Sequence, residues 1–424
     1  MRKRRSGRTT SYSVSAAASG MQGESAMSRS AGYAAPGMGP ASGTRLASDA
    51  GTAAGGKGKA HSGDFIIMGL IAVLVIFGTV MIFSASYYTA IAESGDPYAY
   101  LKKQLIWVAA GTVLLWLCYK IDYHVWGKIY LLAFGVGLLL LLLVFTPLGI
   151  TDMGATRWLG IRGVPFTIMP GECAKVAAII FTAGYLDRNP RMVENVWRGL
   201  MPVLAVAVLY FGLIMKQPNM STAMTLCIIV GGMLMIAGAK WQHLAALIGI
   251  AFVGGVVLIF ADEGGYRYNR LLSFLDPFAD MLGDGWQVVQ SLLALGTGGL
   301  TGLGLGNSIQ KNLYLPEPMN DFILAIIGEE LGFLGVLALM IVYLILIWRG
   351  CHVAMNAPDF LGMMLAGGIT IMIGVQVAIN VAVVTSSMPP TGIILPFISY
   401  GGNALMLFMA SAGILLNVSR HADL

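Results

Sequence analysis

Long apolar runs narrow what this chain can become more than any other feature. From Asp64 to Val418 they recur again and again, broken by short polar turns. An α-helix needs about 20 mostly apolar residues to cross the hydrocarbon layer of a bilayer. Ten such segments are read at about 64–88, 104–119, 128–147, 171–186, 200–215, 219–238, 244–261, 322–348, 361–385 and 395–418. A transmembrane β-barrel would show short alternating segments instead. Charged residues make up only 11% of the chain, against roughly 25% in soluble domains. The expected fold is all-α and polytopic, with about ten transmembrane helices and a long extracellular loop between the seventh and eighth.

Residues 1–62 differ in kind from residues 63–424, the expected ten-helix domain. They are rich in Ser, Ala and Gly and open with Arg2-Lys3-Arg4-Arg5. Such a segment cannot bury a core and is expected to be a disordered tail. It has no apolar stretch of the kind a signal peptide needs. Its charge should hold it in the cytoplasm, and an even number of spans puts the C-terminus there too. Outside the tail, basic residues divide almost equally between the two sides. Lys102, Lys103, Arg157, Arg162, Lys216, Arg267, Arg270 and Lys311 fall on the outer one. An outer anionic ligand such as a pyrophosphate would account for them; so would simple solvation.

Other chemistries find little support. The net charge of +5 comes with no aromatic-basic patch, so nucleic acid is not an expected partner. Cys118, Cys173, Cys227 and Cys351 lie far apart in apolar segments, and the five histidines are scattered. No metal-ligand spacing is visible.

Polar residues at membrane depth are expensive, so they point to pairs, pathways or sites. Glu172 and Lys175 share one helical face at i, i+3. Lys216-Gln217-Pro218-Asn219 breaks the run between segments five and six. Tyr314 to Glu330 carries a loop into the eighth segment, with Pro316 and Pro318 stiffening the approach. Asn320 or Asp321 is a natural N-cap there. Asp321, at the membrane boundary, is either that cap or a catalytic group. At least one of Glu329 and Glu330 should face the bundle interior. Pro389-Pro390 and Leu395-Pro396 imply broken or re-entrant backbone before the last helix, tolerated only inside protein or around a wet cavity. The long loop, about 262–320, is apolar and patterned at Ser291-Leu292-Leu293-Ala294-Leu295. It is expected to fold onto the membrane domain as a short re-entrant or interfacial helix, and the glycines of 296–306 suit tight turns. Arg157/Trp158, Glu172/Lys175, Lys216/Gln217 and the Asp321 segment all fall on one face, which favours a site there.

These residues resemble a known family. Gly-Ala-Thr-Arg-Trp-Leu (154–159), Pro-Gly-Glu-Cys-Ala-Lys (170–175), Gly-Asp-Gly-Trp-Gln-Val-Val-Gln-Ser (283–291), Gly-Leu-Gly-Asn-Ser-Ile-Gln-Lys (304–311), Tyr-Leu-Pro-Glu to Asp-Phe (314–322), Glu-Glu-Leu-Gly (329–332) and Leu-Pro-Phe-Ile-Ser-Tyr-Gly-Gly (395–402) are similar to motifs of the SEDS proteins. The likeness spans about 64–420 and is nearer the FtsW and SpoVE branch than RodA. It implies a glycosyltransferase that polymerises lipid II into peptidoglycan strands during cell division, with undecaprenyl pyrophosphate leaving. It implies Asp321 as the catalytic carboxylate. The substrate-binding residues it implies are Arg157, Trp158, Glu172, Lys175, Lys216, Gln217, Gln290, Ser291, Glu317 and Ser399. It implies a class B penicillin-binding protein as partner, alongside other divisome membrane proteins, at the septum of a bacterial plasma membrane. No cofactor is otherwise expected, but Asp321 could instead hold a divalent cation, Mg or Mn. The family's His-Thr before the aspartate is Met319-Asn320 here, its Gln-Pro-Ser-Glu is Met169-Pro170-Gly171-Glu172, and its Gln-Pro-Asp is Gln217-Pro218-Asn219. Rival readings are a lipid II flippase, a non-enzymatic scaffold, and an elongation- or sporulation-specific polymerase.

Overall fold

The structure is a computed structural model that describes residues 63–423 except 153–154, 161–166, 190–195 and most of 244–284. The N-terminal tail and the seventh apolar segment lie outside the described residues. The other nine segments are helices. They are α1 (Phe65–Ser94), α2 (Ala99–Lys120), α3 with α4 (His124–Lys128, Tyr130–Leu143), α5 (Pro170–Arg188), α6 (Met201–Lys216), α7 (Met220–Ile236), α9 (Ile323–Met355), α10 (Phe360–Val384) and α11 (Gly402–Ser419). Helix α8 (Trp286–Gly298) is the short helix expected in the long loop. Among the described residues, six helices are long and apolar enough to cross a membrane. The bundle turns apolar side chains such as Val208, Leu344 and Trp348 outward, each at least 60% exposed. That surface is stable only against lipid, so the chain is a multi-pass membrane protein. The spanning stretches of α10 and α11 are 61% and 78% buried, against 17–39% for α1, α2, α6 and α9. α10 and α11 are therefore central, together with α5, most of whose residues are buried.

One end of the bundle gathers both ends of the described chain. Asp64 caps α1 by accepting from the Ile66 and Ile67 amides, pairs with Arg349 of α9 at 2.6 Å, and its amide donates to Ser419 of α11. Nearby, His124 lies between two carboxylates, with Nδ1 2.7 Å from Asp122 and Nε2 2.8 Å from Asp359. Partial burial disfavours its charge, but the Asp122 and Asp359 carboxylates outweigh that and raise the imidazole pKa above its usual value. A raised folded pKa stabilises the fold fully below the unfolded value of about 6.5 and loses that contribution as pH climbs through the folded one. His124→Ala should therefore lower the melting temperature in detergent more at pH 5.5 than at pH 9. At this half-exposed position the loss should not exceed about 1 kcal/mol.

At the opposite end, the 148–170 loop folds into a small antiparallel sheet that its glycines and turn residues concealed. β1 (Gly149–Asp152) pairs with β2 (Ala155–Gly160), and β2 with β3 (Thr167–Ile168). Alternation of Thr156 and Trp158 with Arg157 and Leu159 is a strand signal that membrane patterning overshadowed.

Helix α9 is broken at Gly332, where φ is 68°. The break exposes helical carbonyls, and the glycine run fills it. Leu303 and Gly304 amides donate to the Glu329 and Glu330 carbonyls, while Phe333 and Leu334 amides donate to Gly299 and Leu300. Tight turns were the expected use of these glycines, and Gly299, Gly302, Gly304 and Gly306 do have positive φ. A Cβ on Gly332 would begin 2.3 Å from the Gly302 nitrogen. Gly332→Ala combines that clash with a left-handed backbone and should cost about 1–3 kcal/mol, read as a lower melting temperature of the purified protein.

Candidate functional site

The two proline-stiffened segments meet at the mouth of α9. Asp321 is half-buried, one residue before the cap position Phe322, and the helix start carries no side-chain cap. The cap position expected at Asn320 or Asp321 falls on Phe322 instead. Glu317, at φ 50°, takes a left-handed turn and accepts a hydrogen bond from Asn320. The turn is instead held from outside. The Tyr400 amide donates to the Met319 carbonyl at 2.8 Å. The buried Asn380 side chain of α10 donates to the Asp321 carbonyl at 2.7 Å and to the Ile393 carbonyl at 2.8 Å. A side chain on Gly392 would start 3.9 Å from the Asp321 Oδ2, so the non-helical 385–401 stretch borders the carboxylate. This is the broken backbone anticipated before the last span, whose helix starts at Gly402 rather than 395.

Glu172 and Lys175 form the anticipated intramembrane ion pair. Lys175 is completely buried; its ammonium donates to Glu172 at 2.8 Å and to Gln376 of α10 at 2.9 Å. Gln376 and Asn380 stand one helical turn apart, about 6 Å of rise. The ion pair and the Asp321 turn are thus fastened to adjacent steps of one helix. Polar side chains four apart inside an apolar span are the signal by which both amides could be found in the sequence.

The start of α5 joins the remaining motifs. Asn403 of α11 lies 3.5 Å from the Met169 carbonyl, and a Cβ on Gly171 would touch Thr222 of α7. Arg157 on β2 donates to the Pro218 carbonyl at 2.6 Å, and Trp158 beside it is half-buried. Asn219, where the family has Asp, still caps α7 by accepting from the Thr222 amide. Lys216 is exposed at the end of α6.

Several motif residues turn out to be framework. Gln217 donates to the Leu141 carbonyl, Ser291 to the Val384 carbonyl, and Ser399 accepts from the Leu395 amide. All three are at most 3% exposed, and Gln290 is buried on α8. Each of those three side chains is closed off and bonded to backbone. Lys311 needs no outer anion either. It is buried 2.7 Å from Glu330, with Ser84 of α1 bonded to both, beside a cavity of about 260 Å³ walled by Phe83, Tyr87, Tyr88 and Leu305. Glu329 and Glu330 both face inward, at 0% exposure. Glu329 accepts from the Ile309 and Gln310 amides and from Ser308.

A family pattern for cell cycle proteins, FtsW/RodA/SpoVE, matches residues 65–424. The chain belongs to that family. Stage V sporulation protein E of Bacillus subtilis is 39% identical, covering 86% of this chain and 99% of that protein. "Probable peptidoglycan glycosyltransferase FtsW" of Geobacter sp. is also 39% identical, covering 84% and 96%. A solved peptidoglycan synthase complex, described as coordinating polymerization and crosslinking, contains a chain of the same fold. Its TM-score is 0.70 at 27% identity, covering 85% of this chain and 98% of that one.

Proposed function

We propose that this protein is a peptidoglycan glycosyltransferase that polymerises lipid II, with Asp321 as its catalytic carboxylate. The observation that carries the reading is the acid's setting: Asp321 is half-buried in the turn before α9, and the broken 385–401 backbone borders its carboxylate, where a side chain on Gly392 would start 3.9 Å from Oδ2. Relatives named as glycosyltransferases support the reaction class. The acceptor sugar hydroxyl gives its proton to the carboxylate as its oxygen bonds the donor's anomeric carbon. The bond from that carbon to the pyrophosphate oxygen breaks, and undecaprenyl pyrophosphate leaves with the electron pair. Cations steady the departing charge. Arg157 and the exposed Lys216 suit that task. Lys175, neutralised by Glu172 and out of reach, instead serves as an internal brace. Trp158 offers a face for a sugar ring.

Hard divalent cations such as Mg or Mn take oxygen ligands. Among the described residues no group of three or more His, Cys, Asp or Glu gathers to hold a metal. A cation here would therefore rest on Asp321 and on neutral oxygens such as Asn320 Oδ1 and Thr391 Oγ1, both buried without a protein partner beside Asp321 and Gly392 in sequence. Asp321 would hold it, and bound there it would offset charge on the pyrophosphate.

The basic tail supports a plasma-membrane orientation with both termini cytoplasmic and the Asp321 end outward. The likeness to the synthase complex supports a class B penicillin-binding protein as partner, at the division septum with other divisome proteins. Equal 39% identity to the sporulation protein favours, as a second assignment of the same chemistry, synthesis of the spore wall. The deciding experiment gives purified protein lipid II with and without a cognate class B partner. Glycan strands are expected. Movement of lipid II across vesicles without polymer would replace this reading with a flippase.

A further inference from the structure

The turn that carries Asp321 is held in part from outside the helix it precedes. Phe322 takes the cap position of α9, and Asp321 sits in the turn before it. Two of the bonds on this turn come from elsewhere: the Tyr400 amide on Met319 and the Asn380 side chain on Asp321 itself. Asn380 is fully buried in the centrally placed α10. Its Nδ2 reaches two backbone carbonyls, those of Asp321 and Ile393. The orientation of the amide is settled by that pair, since a flip would set its oxygen against both acceptors. Ile393 adjoins Gly392, the residue bordering the Asp321 Oδ2. One side chain therefore ties down both the residue that bears the acid and the backbone that faces it.

We infer that Asn380 is a positioning residue for Asp321, holding the carboxylate and its facing wall at a set separation through two hydrogen bonds. This rests on the reading of Asp321 as the catalytic acid. A glue function alone would act on the whole bundle; positioning acts on the turn over chemistry. Misplacement by even 1 Å can cost about 100-fold in rate. Leucine has the branched shape of asparagine and neither donor, and it suits an apolar span. Aspartate keeps the shape and turns an acceptor toward the two carbonyls.

The test compares wild type, Asn380→Leu, Asn380→Asp and Asp321→Asn, each purified with its class B partner. Turnover and KM for lipid II are measured with melting temperature and amide hydrogen exchange. For Asn380→Leu we expect kcat to fall at least tenfold and KM to stay within twofold. Exchange should quicken over 319–324 and 391–395 alone, at an unchanged melting temperature. Asn380→Asp should be slower still. Wild-type kcat in Asn380→Leu beside an inactive Asp321→Asn overturns the positioning role only. A fall in kcat that tracks a lower melting temperature and faster exchange throughout the bundle also overturns it, since the fold then carries the effect. An active Asp321→Asn removes the catalytic reading and the inference with it.

Discussion

Asp321→Asn should lose lipid II polymerisation by about 100- to 10,000-fold, the span that a lost general base commonly produces. The amide keeps the size of the side chain and cannot take a proton at neutral pH. The cap position of α9 falls on Phe322 and is untouched. The hydrogen bond from Asn380 goes to the Asp321 carbonyl, so the substitution leaves it standing. Melting temperature and co-purification with a class B partner are therefore expected to match wild type. Gel analysis of glycan strands from purified lipid II reads the rate. Polymer at the wild-type rate would strip Asp321 of its role. A rate loss accompanied by unfolding would mean that the acid is structural after all.

The second large effect is on stability and lies away from the acid. Glu330 is wholly buried, and Lys311 is the cation that neutralises it at 2.7 Å. Lys311→Met removes the positive partner and leaves a carboxylate in the protein interior with only Ser84 and the Ser308 amide to solvate it. Breaking a buried pair from one side costs about 3–5 kcal/mol. A fall in melting temperature of several degrees or failure to purify is expected. The double variant Lys311→Met with Glu330→Gln should recover much of the loss, because the stranded charge is gone. If the single variant melts like wild type, the pair contributes nothing to stability. If the double variant is no better than the single, lost packing and not unpaired charge is the cause.

Both effects come from residues whose meaning changed between sequence and structure. Lys311 read as one of several outer cations awaiting an anion. Its partner lies 19 residues on, across a glycine-lined loop that folds back into a broken helix, and spacing alone could not reveal that. Lys175 shows the reverse. Its i, i+3 partner Glu172 was legible because one helical turn brings them together, whatever the rest of the bundle does. Gln217, Ser291 and Ser399 stood out inside motifs, yet they bond to backbone of other segments. A motif marks that a residue matters without telling whether it faces ligand or frame.

By itself the sequence determined the membrane, the spans and the broken backbone before the last helix. Those follow from local rules: apolar length against bilayer thickness, proline without a donor, glycine at positive φ. It also marked Asp321 as a carboxylate at a helix mouth. Only the tertiary structure decided that Phe322 takes the cap position of that helix, and that α10 reaches over to hold the turn. Only it showed which charges cancel in the interior. Contacts between segments 60 to 250 residues apart arise when apolar faces pack and buried polar groups find partners, and such pairings are properties of the assembled bundle.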